Sequence, residues 1–201
     1  REGEALLATT HHAENLPNWL RRSWQYYWGD AATNNIAELA MLPPPLDISE
    51  TKDAAAWAEK LDGKVLNGHT IRREFEGDPA QLSGFAEGAW WVQDAAAAIP
   101  ARLLGQLVGK KVIDLCAAPG GKTAQLIAAG ANVTAIDSNR KRIDRLQRNI
   151  TRLNMPAKLV LSDGRNFVPD AAVDAILLDA PCSATGTIRR RPDILGRRSS
   201  A

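Results

Sequence analysis

Val112-Ile113-Asp114-Leu115-Cys116-Ala117-Ala118-Pro119-Gly120-Gly121-Lys122-Thr123 is the stretch from which the fold can be read. It begins as a buried strand, turns on paired glycines and enters a helix. Downstream, Leu178-Asp179-Ala180-Pro181-Cys182-Ser183-Ala184-Thr185-Gly186 closes another apolar run with an acid, a proline and a thiol. The pattern between them is regular. Strands are predicted at 111–116, 132–137, 157–161 and 173–179, with helices at 122–129 and 140–153. In the second helix Ile143, Leu146, Ile150 and Leu153 make one apolar stripe and leave the arginines outward. Near-continuous apolar strands alternating with helices predict an α/β fold, a doubly wound, Rossmann-like parallel sheet.

Upstream the pattern changes twice. Residues 1–42 read as helical: Leu16, Leu20, Trp24 and Tyr27 recur at helical spacing, near Trp19 and Trp28, and are expected to pack. Pro43-Pro44-Pro45 cannot continue a helix. The expected division is a helical segment and linker at 1–45, a small α/β subdomain at 46–93 and a larger α/β domain at 94–201. In the small subdomain Asp53 is placed to cap a helix from Ala54 to Leu61, and Thr70–Phe75 reads as a strand. Trp90-Trp91-Val92-Gln93-Asp94 leads into an alanine-rich helix capped by Asp94. The tryptophan pair fits packing between subdomains better than stacking on a base.

With 45% hydrophobic and 24% charged residues the composition is that of a globular protein. No apolar run approaches the ~20 residues of a membrane span. Cys116 and Cys182 are too few for a disulfide framework, lack metal-ligand spacing and stand apart from His11, His12 and His69. No metal, no membrane and a reducing cytoplasm are expected. Because the chain starts at Arg1, it is expected to be a piece of a longer one. The net charge of +2 is uneven. Basic residues crowd 139–152 and the stretch after Thr187, as either a phosphate-binding surface or a solvated helix face and tail.

In an open parallel sheet, ligands bind beyond the carboxyl ends of the strands. Cys116–Gly121 lies there. Gly120 and Gly121 admit close backbone approach, and the helix starting near Lys122 aims free amides at the same point. Asp137 ends the second strand, where an acid can accept both hydroxyls of a ribose. Asp163, past the third, can meet the amine of an adenine. The loop lacks the G-x-G-x-x-G of dinucleotide sites, and Cys116 stands where a P-loop needs its first glycine. S-adenosyl-L-methionine has no phosphate to cradle and fits better. One such acid could be a strand-end cap; three at successive strand ends are a poor match to that reading.

Asp179-Ala180-Pro181-Cys182 ends the fourth strand, expected beside the first. A thiolate adding to carbon 6 of cytosine makes carbon 5 nucleophilic enough to take a methyl group, once the base is unstacked. A lone Pro-Cys is weak, since most buried cysteines are inert. After an acid at a parallel strand's end, with a donor loop upstream, it is stronger.

These two motifs resemble the hallmarks of the RsmB/NOP-type RNA cytosine-5 methyltransferases, in particular the Fmu/Sun-like branch that acts on small-subunit ribosomal RNA. Pro17-Asn18-Trp19-Leu20 and the stretch from Phe75-Glu76-Gly77 to Asp94 are also similar, so the resemblance covers nearly the whole chain. It implies donor contacts from Cys116, Ala117, Ala118, Pro119, Gly120, Gly121 and Lys122, then Asp137, Asp163 and Asp179. It implies that Asp179 also holds the cytosine and that Cys182 assists breakdown of the covalent adduct. The family's attacking thiol lies in a later Thr-Cys, whereas no cysteine follows Cys182 here. The chain is thus expected to be truncated at its C-terminus, with the fourth strand uncovered, and to be marginally stable and inactive alone. The expected partner is RNA, guided by the basic helix and Arg189–Arg191. The complete protein is expected to be a monomer. Two rivals are a non-catalytic RNA- or donor-binding relative and a DNA cytosine-5 methyltransferase attacking through Cys182. The Ala-Ala-Pro-Gly-Gly-Lys loop and the upstream subdomain disfavour the latter.

Overall fold

The computed structural model describes residues 11–197. They form two compact units, one from the segments up to Pro44 and from Cys182 onward, the other spanning Pro45–Pro181. In the first, helix α1 (Asn18–Met41) follows a short 3-10 turn, His12–Asn15. Gly29, at φ 79° and ψ 171°, breaks α1 into two helical pieces. Leu16 and Leu20 are buried with Ala13, Ala37, Ile188 and Ile194. The expected stripe does not reach Tyr27, which is 73% exposed. It lies just before the break and meets Tyr26 edge-on, with ring centroids 5.0 Å apart.

The second unit holds two sheets. Strands β1 (Leu46–Glu50), β2 (Lys64–Val65), β3 (Thr70–Arg73) and β4 (Trp90–Val92) form an antiparallel sheet in the order β2-β3-β1-β4. It is accompanied by α2 (Ala54–Lys60), whose N-cap Asp53 accepts a hydrogen bond from Ala56 N at 3.0 Å. The alanine-rich helix expected from Asp94 is much shorter, α3 covering only Ile99–Arg102. Pro100 supplies no N–H and restricts the residue before it, so residues 95–98 stay a turn whose Ala96 N is held by the Asp94 carboxylate at 2.8 Å.

The second sheet is all parallel: β5 (Lys111–Leu115), β6 (Asn132–Asp137), β7 (Lys158–Leu161) and β8 (Ala175–Leu178), in the order β7-β6-β5-β8. Register pairs Leu115 with Ile136 on one side and Leu178 on the other, so the strands end together. Helices α4 (Gly121–Ala128) and α5 (Arg140–Arg152) supply the cover. Leu126, Ile143, Leu146 and Ile150 meet Val112, Val133, Ala135 and Leu177 in the main core. Along β8, Leu177 is buried while Ile176 and Leu178 are 54% and 62% exposed.

The adjacent tryptophans point to opposite faces of β4, as strand alternation demands. Trp90 is fully buried in the antiparallel sheet's core and donates through Nε1 to Ser83 O at 2.9 Å. Trp91 packs on Ala124 and Leu153 of the parallel half. Both rings are consumed by packing. Arg152 departs from the outward reading of α5. Its guanidinium lies 3.9 Å from the centroid of the Phe85 ring and donates to the carbonyls of Phe85 and Trp90. No helix among the described residues is long and apolar enough to cross a membrane.

Candidate functional site

The site grows from the carboxyl end of β5. Cys116 takes the left-handed backbone conformation, φ 61°, and swings the chain out of the strand. Ala117 N then donates to Ile136 O at 3.0 Å, pinning the loop beside β6. Ala117 and Ala118 are buried against the core, which fixes the loop from below. Gly120, at φ 106°, is the N-cap of α4, and a β-carbon there would run into Leu146 Cδ1.

Asp137 ends β6 only 3% exposed. It accepts from Ala118 N at 3.3 Å and Asn139 N at 3.1 Å and pairs with Arg142 at 3.1 Å. Arg142 also donates to Ala118 O at 2.8 Å, and Asn149 Nδ2 donates to Pro119 O at 2.7 Å. Arg142 and Asn149 therefore clamp the loop from α5, a role the sequence reading missed when it placed the arginines outward. Their signal was spacing: seven residues apart, they share one helix face beside the apolar stripe.

Asp179 follows β8, and its backbone N donates to Leu115 O at 3.3 Å. Its carboxylate pairs with Lys122 Nζ at 2.7 Å, joining the start of α4 to the end of β8. Asp163 lies beyond β7, where Ser162 N donates to Asp137 O at 3.1 Å. Arg165 forks onto both Asp163 oxygens, and these bonds push that carboxyl down to about 2. The structure thus gathers Cys116–Lys122, Asp137 and Asp179 around the end of β5, with Asp163 at the next strand end but one. Cys182 belongs to the other unit, where its exposed thiol sulfur accepts from Ala184 N at 3.3 Å. Burial and the charge of Asp137 push the Cys116 thiol up, so it stays protonated at neutral pH.

Asp114 lies within the motif's strand, ahead of the strand end where the sequence places donor contacts. It is 1% exposed inside β5, and its Oδ2 accepts a 2.6 Å hydrogen bond from Thr123 Oγ1. Burial pushes its carboxyl up to about 6, against the pull of Thr123 and Lys122. The folded state thus holds this proton more tightly than the unfolded chain. Its stabilising contribution is complete below pH 3.8 and is lost as pH rises through about 6. At about 1.4 kcal/mol per unit the loss is on the order of 3 kcal/mol. Asp114→Asn is expected to remove this slope while keeping the acceptor for Thr123. Urea unfolding at pH 4.5 and pH 7 measures it, and equal pH responses in the two proteins would sink the assignment.

The family described as 16S rRNA methyltransferase RsmB/F matches residues 102–201. Ribosomal RNA small subunit methyltransferase B of Klebsiella pneumoniae subsp. pneumoniae is 37% identical over 212 residues, covering 96% of this chain and 49% of that protein. The chain spans about half the length of the curated relatives it matches. The crystal structure of PH0851 superposes with a TM-score of 0.82 at 25% identity, covering 92% of this chain and 45% of that one. A methyltransferase homolog protein from Pyrococcus horikoshii gives a TM-score of 0.70 at 25% identity, covering 88% and 63%. With such relatives along nearly its whole length and the family match over its C-terminal half, the chain belongs to the RsmB/F family of methyltransferases.

Proposed function

We propose that this chain binds S-adenosyl-L-methionine and serves methyl transfer to carbon 5 of cytosine in RNA, with cytoplasmic small-subunit ribosomal RNA as the substrate. The observation that carries the reading is one glycine loop flanked by acids at the ends of neighbouring parallel strands. In this reading the Cys116–Lys122 backbone cradles the donor, Asp137 takes the ribose hydroxyls and Asp163 the adenine amine, sharing its oxygens with Arg165. Asp179, oriented by Lys122, holds the edge of the cytosine.

The chemistry runs through a covalent adduct. A thiolate adds to carbon 6, carbon 5 takes the methyl group, the carbon 5 proton leaves and the thiolate is expelled. Cys182 assists the expulsion, and the attack belongs to a different cysteine. Cys116, held as a thiol in the donor loop, and Cys182 are the only cysteines among these 201 residues. Neither is assigned the attack in this reading. The exposed cations Lys141, Arg145 and Arg148 on α5 offer a surface for phosphates. Arg189 is drawn off to the carbonyls of Leu42 and Pro43 at 3.0 and 2.7 Å, which leaves it less available to RNA than the sequence suggested.

Calorimetric titration with S-adenosyl-L-methionine is expected to show one site per chain, and no binding would overturn the proposal. RNA carrying 5-fluorocytosine separates the thiol roles. Our reading expects no trapped adduct with these residues. An adduct that disappears in Cys182→Ala would make Cys182 the nucleophile.

A further inference from the structure

Asp114 is the acid near the loop to which donor binding assigns no task. Its Oδ2 is taken by Thr123, while its Oδ1 is buried without any hydrogen-bond partner. The three other buried or ligand-facing acids at this end of the sheet have cations: Asp137 has Arg142 at 3.1 Å, Asp179 has Lys122 at 2.7 Å and Asp163 has Arg165 at 2.6 Å. Asp114 has no ion pair among the described residues. Thr123 of α4 is its hydrogen-bond partner, and the charges felt there are Lys122 of α4, Asp137 at the end of β6 and Asp179 after β8, with the Cys116 thiol at the end of β5 within reach of its own field. Of these charges, that of Lys122 favours its ionisation and those of both acids oppose it. Burying a carboxylate with no counterion is costly, and sites that bind or react are where such arrangements cluster.

We propose that Asp114 is the selectivity residue of this site: ionised, it favours the positively charged sulfonium donor over the uncharged thioether that methyl transfer leaves behind. This rests on the donor-binding reading above. In the transfer, the carbon nucleophile supplies the electron pair for the new C–CH3 bond. The pair of the S–CH3 bond stays on sulfur, which loses its positive charge. The ligand's net charge therefore falls from about +1 to 0 at neutral pH. Three carboxylate–cation pairs cancel, so Asp114 sets the balance of the pocket, negative when ionised and neutral when protonated. An ionised Asp114 holds the donor and loosens its grip once the methyl group has left. Asp114 is a positioning and selecting group, without contact to the reacting carbon.

The test is the affinity of S-adenosyl-L-methionine and of S-adenosyl-L-homocysteine, measured by calorimetry between pH 5 and pH 7. In the wild-type chain the ratio of product to donor dissociation constants is expected to rise about tenfold, as one charge in a partly screened pocket would give, around a midpoint near 6. Asp114→Asn, which keeps the acceptor for Thr123, is expected to hold the ratio flat at its low-pH value. A purely structural role would weaken both ligands together and leave the ratio alone. A wild-type ratio independent of pH, or an Asn variant that keeps the wild-type profile, overturns the proposal. Should the variant not fold, the wild-type profile decides by itself. If the wild type binds neither compound, the donor reading falls, and this inference with it.

Discussion

Asp137→Ala is expected to abolish measurable S-adenosyl-L-methionine binding, a loss of at least about a hundredfold, or about 2.7 kcal/mol. Two effects combine. Two hydrogen bonds from ribose hydroxyls to a carboxylate are each worth roughly 1.5–3 kcal/mol. The same carboxylate also braces the loop, accepting from Ala118 N and Asn139 N and neutralising Arg142. Its removal leaves the Arg142 guanidinium without its carboxylate partner and frees the loop to wander from its binding geometry. Asp137→Asn separates the two effects, because the amide oxygen can keep one loop contact while the charge is lost. We expect it to lose roughly tenfold, between wild type and alanine. Calorimetry on all three proteins, with circular dichroism to confirm folding, gives the comparison. An alanine variant within about threefold of wild type would remove Asp137 from the donor site.

Gly120→Ala should be the most damaging single-methyl change in the loop. Gly120 sits at φ 106°, where an L-residue is strained by roughly 1–2 kcal/mol. Its new methyl group would meet Leu146 Cδ1, with Ile150 Cγ2 at 3.9 Å behind it. Leu146 is fully buried, so it cannot step aside without disturbing the core, which adds about 1–3 kcal/mol. The sum, about 2–5 kcal/mol, corresponds to a melting temperature lower by roughly 10 °C in a protein of this size. Donor affinity falls with it, because the loop must shift to admit the methyl group. Gly121→Ala is the internal control. That residue has an ordinary helical backbone, and its nearest neighbour would be Gln93 Cγ at 3.8 Å, so less than about 1 kcal/mol is expected. Similar melting of the two variants would show that the Gly120 conformation is not needed.

The positions of the four parallel strands and of α5 were legible because strands of a parallel sheet are apolar nearly throughout, as β8 is even where Ile176 and Leu178 are exposed, and a covering helix must show one stripe. Those patterns repeat within a few residues, and each observed strand falls inside its predicted range. Pro100 shows where local reading failed. Composition favoured a helix after Asp94, and a proline without an N–H puts its start at Ile99 instead. Trp90 and Trp91 were read as packing residues, but that they serve two different cores follows only from the pairing of β4 with β1.

By itself, the sequence determined the alternation of strand and helix, the place of the glycine loop and the acids that end the strands, since each depends on residues adjacent along the chain. The tertiary structure alone decided which side chains meet there. Arg142 and Asn149 reach the loop because α5 lies alongside it, and Lys122 finds Asp179 because β8 pairs with β5. Asp114 is a charge with no counterion only because Thr123, nine positions on, folds over it while the neighbouring cations are taken by other acids. A carboxylate's charge state is set by every group that surrounds it in space, and the order of residues does not list those groups.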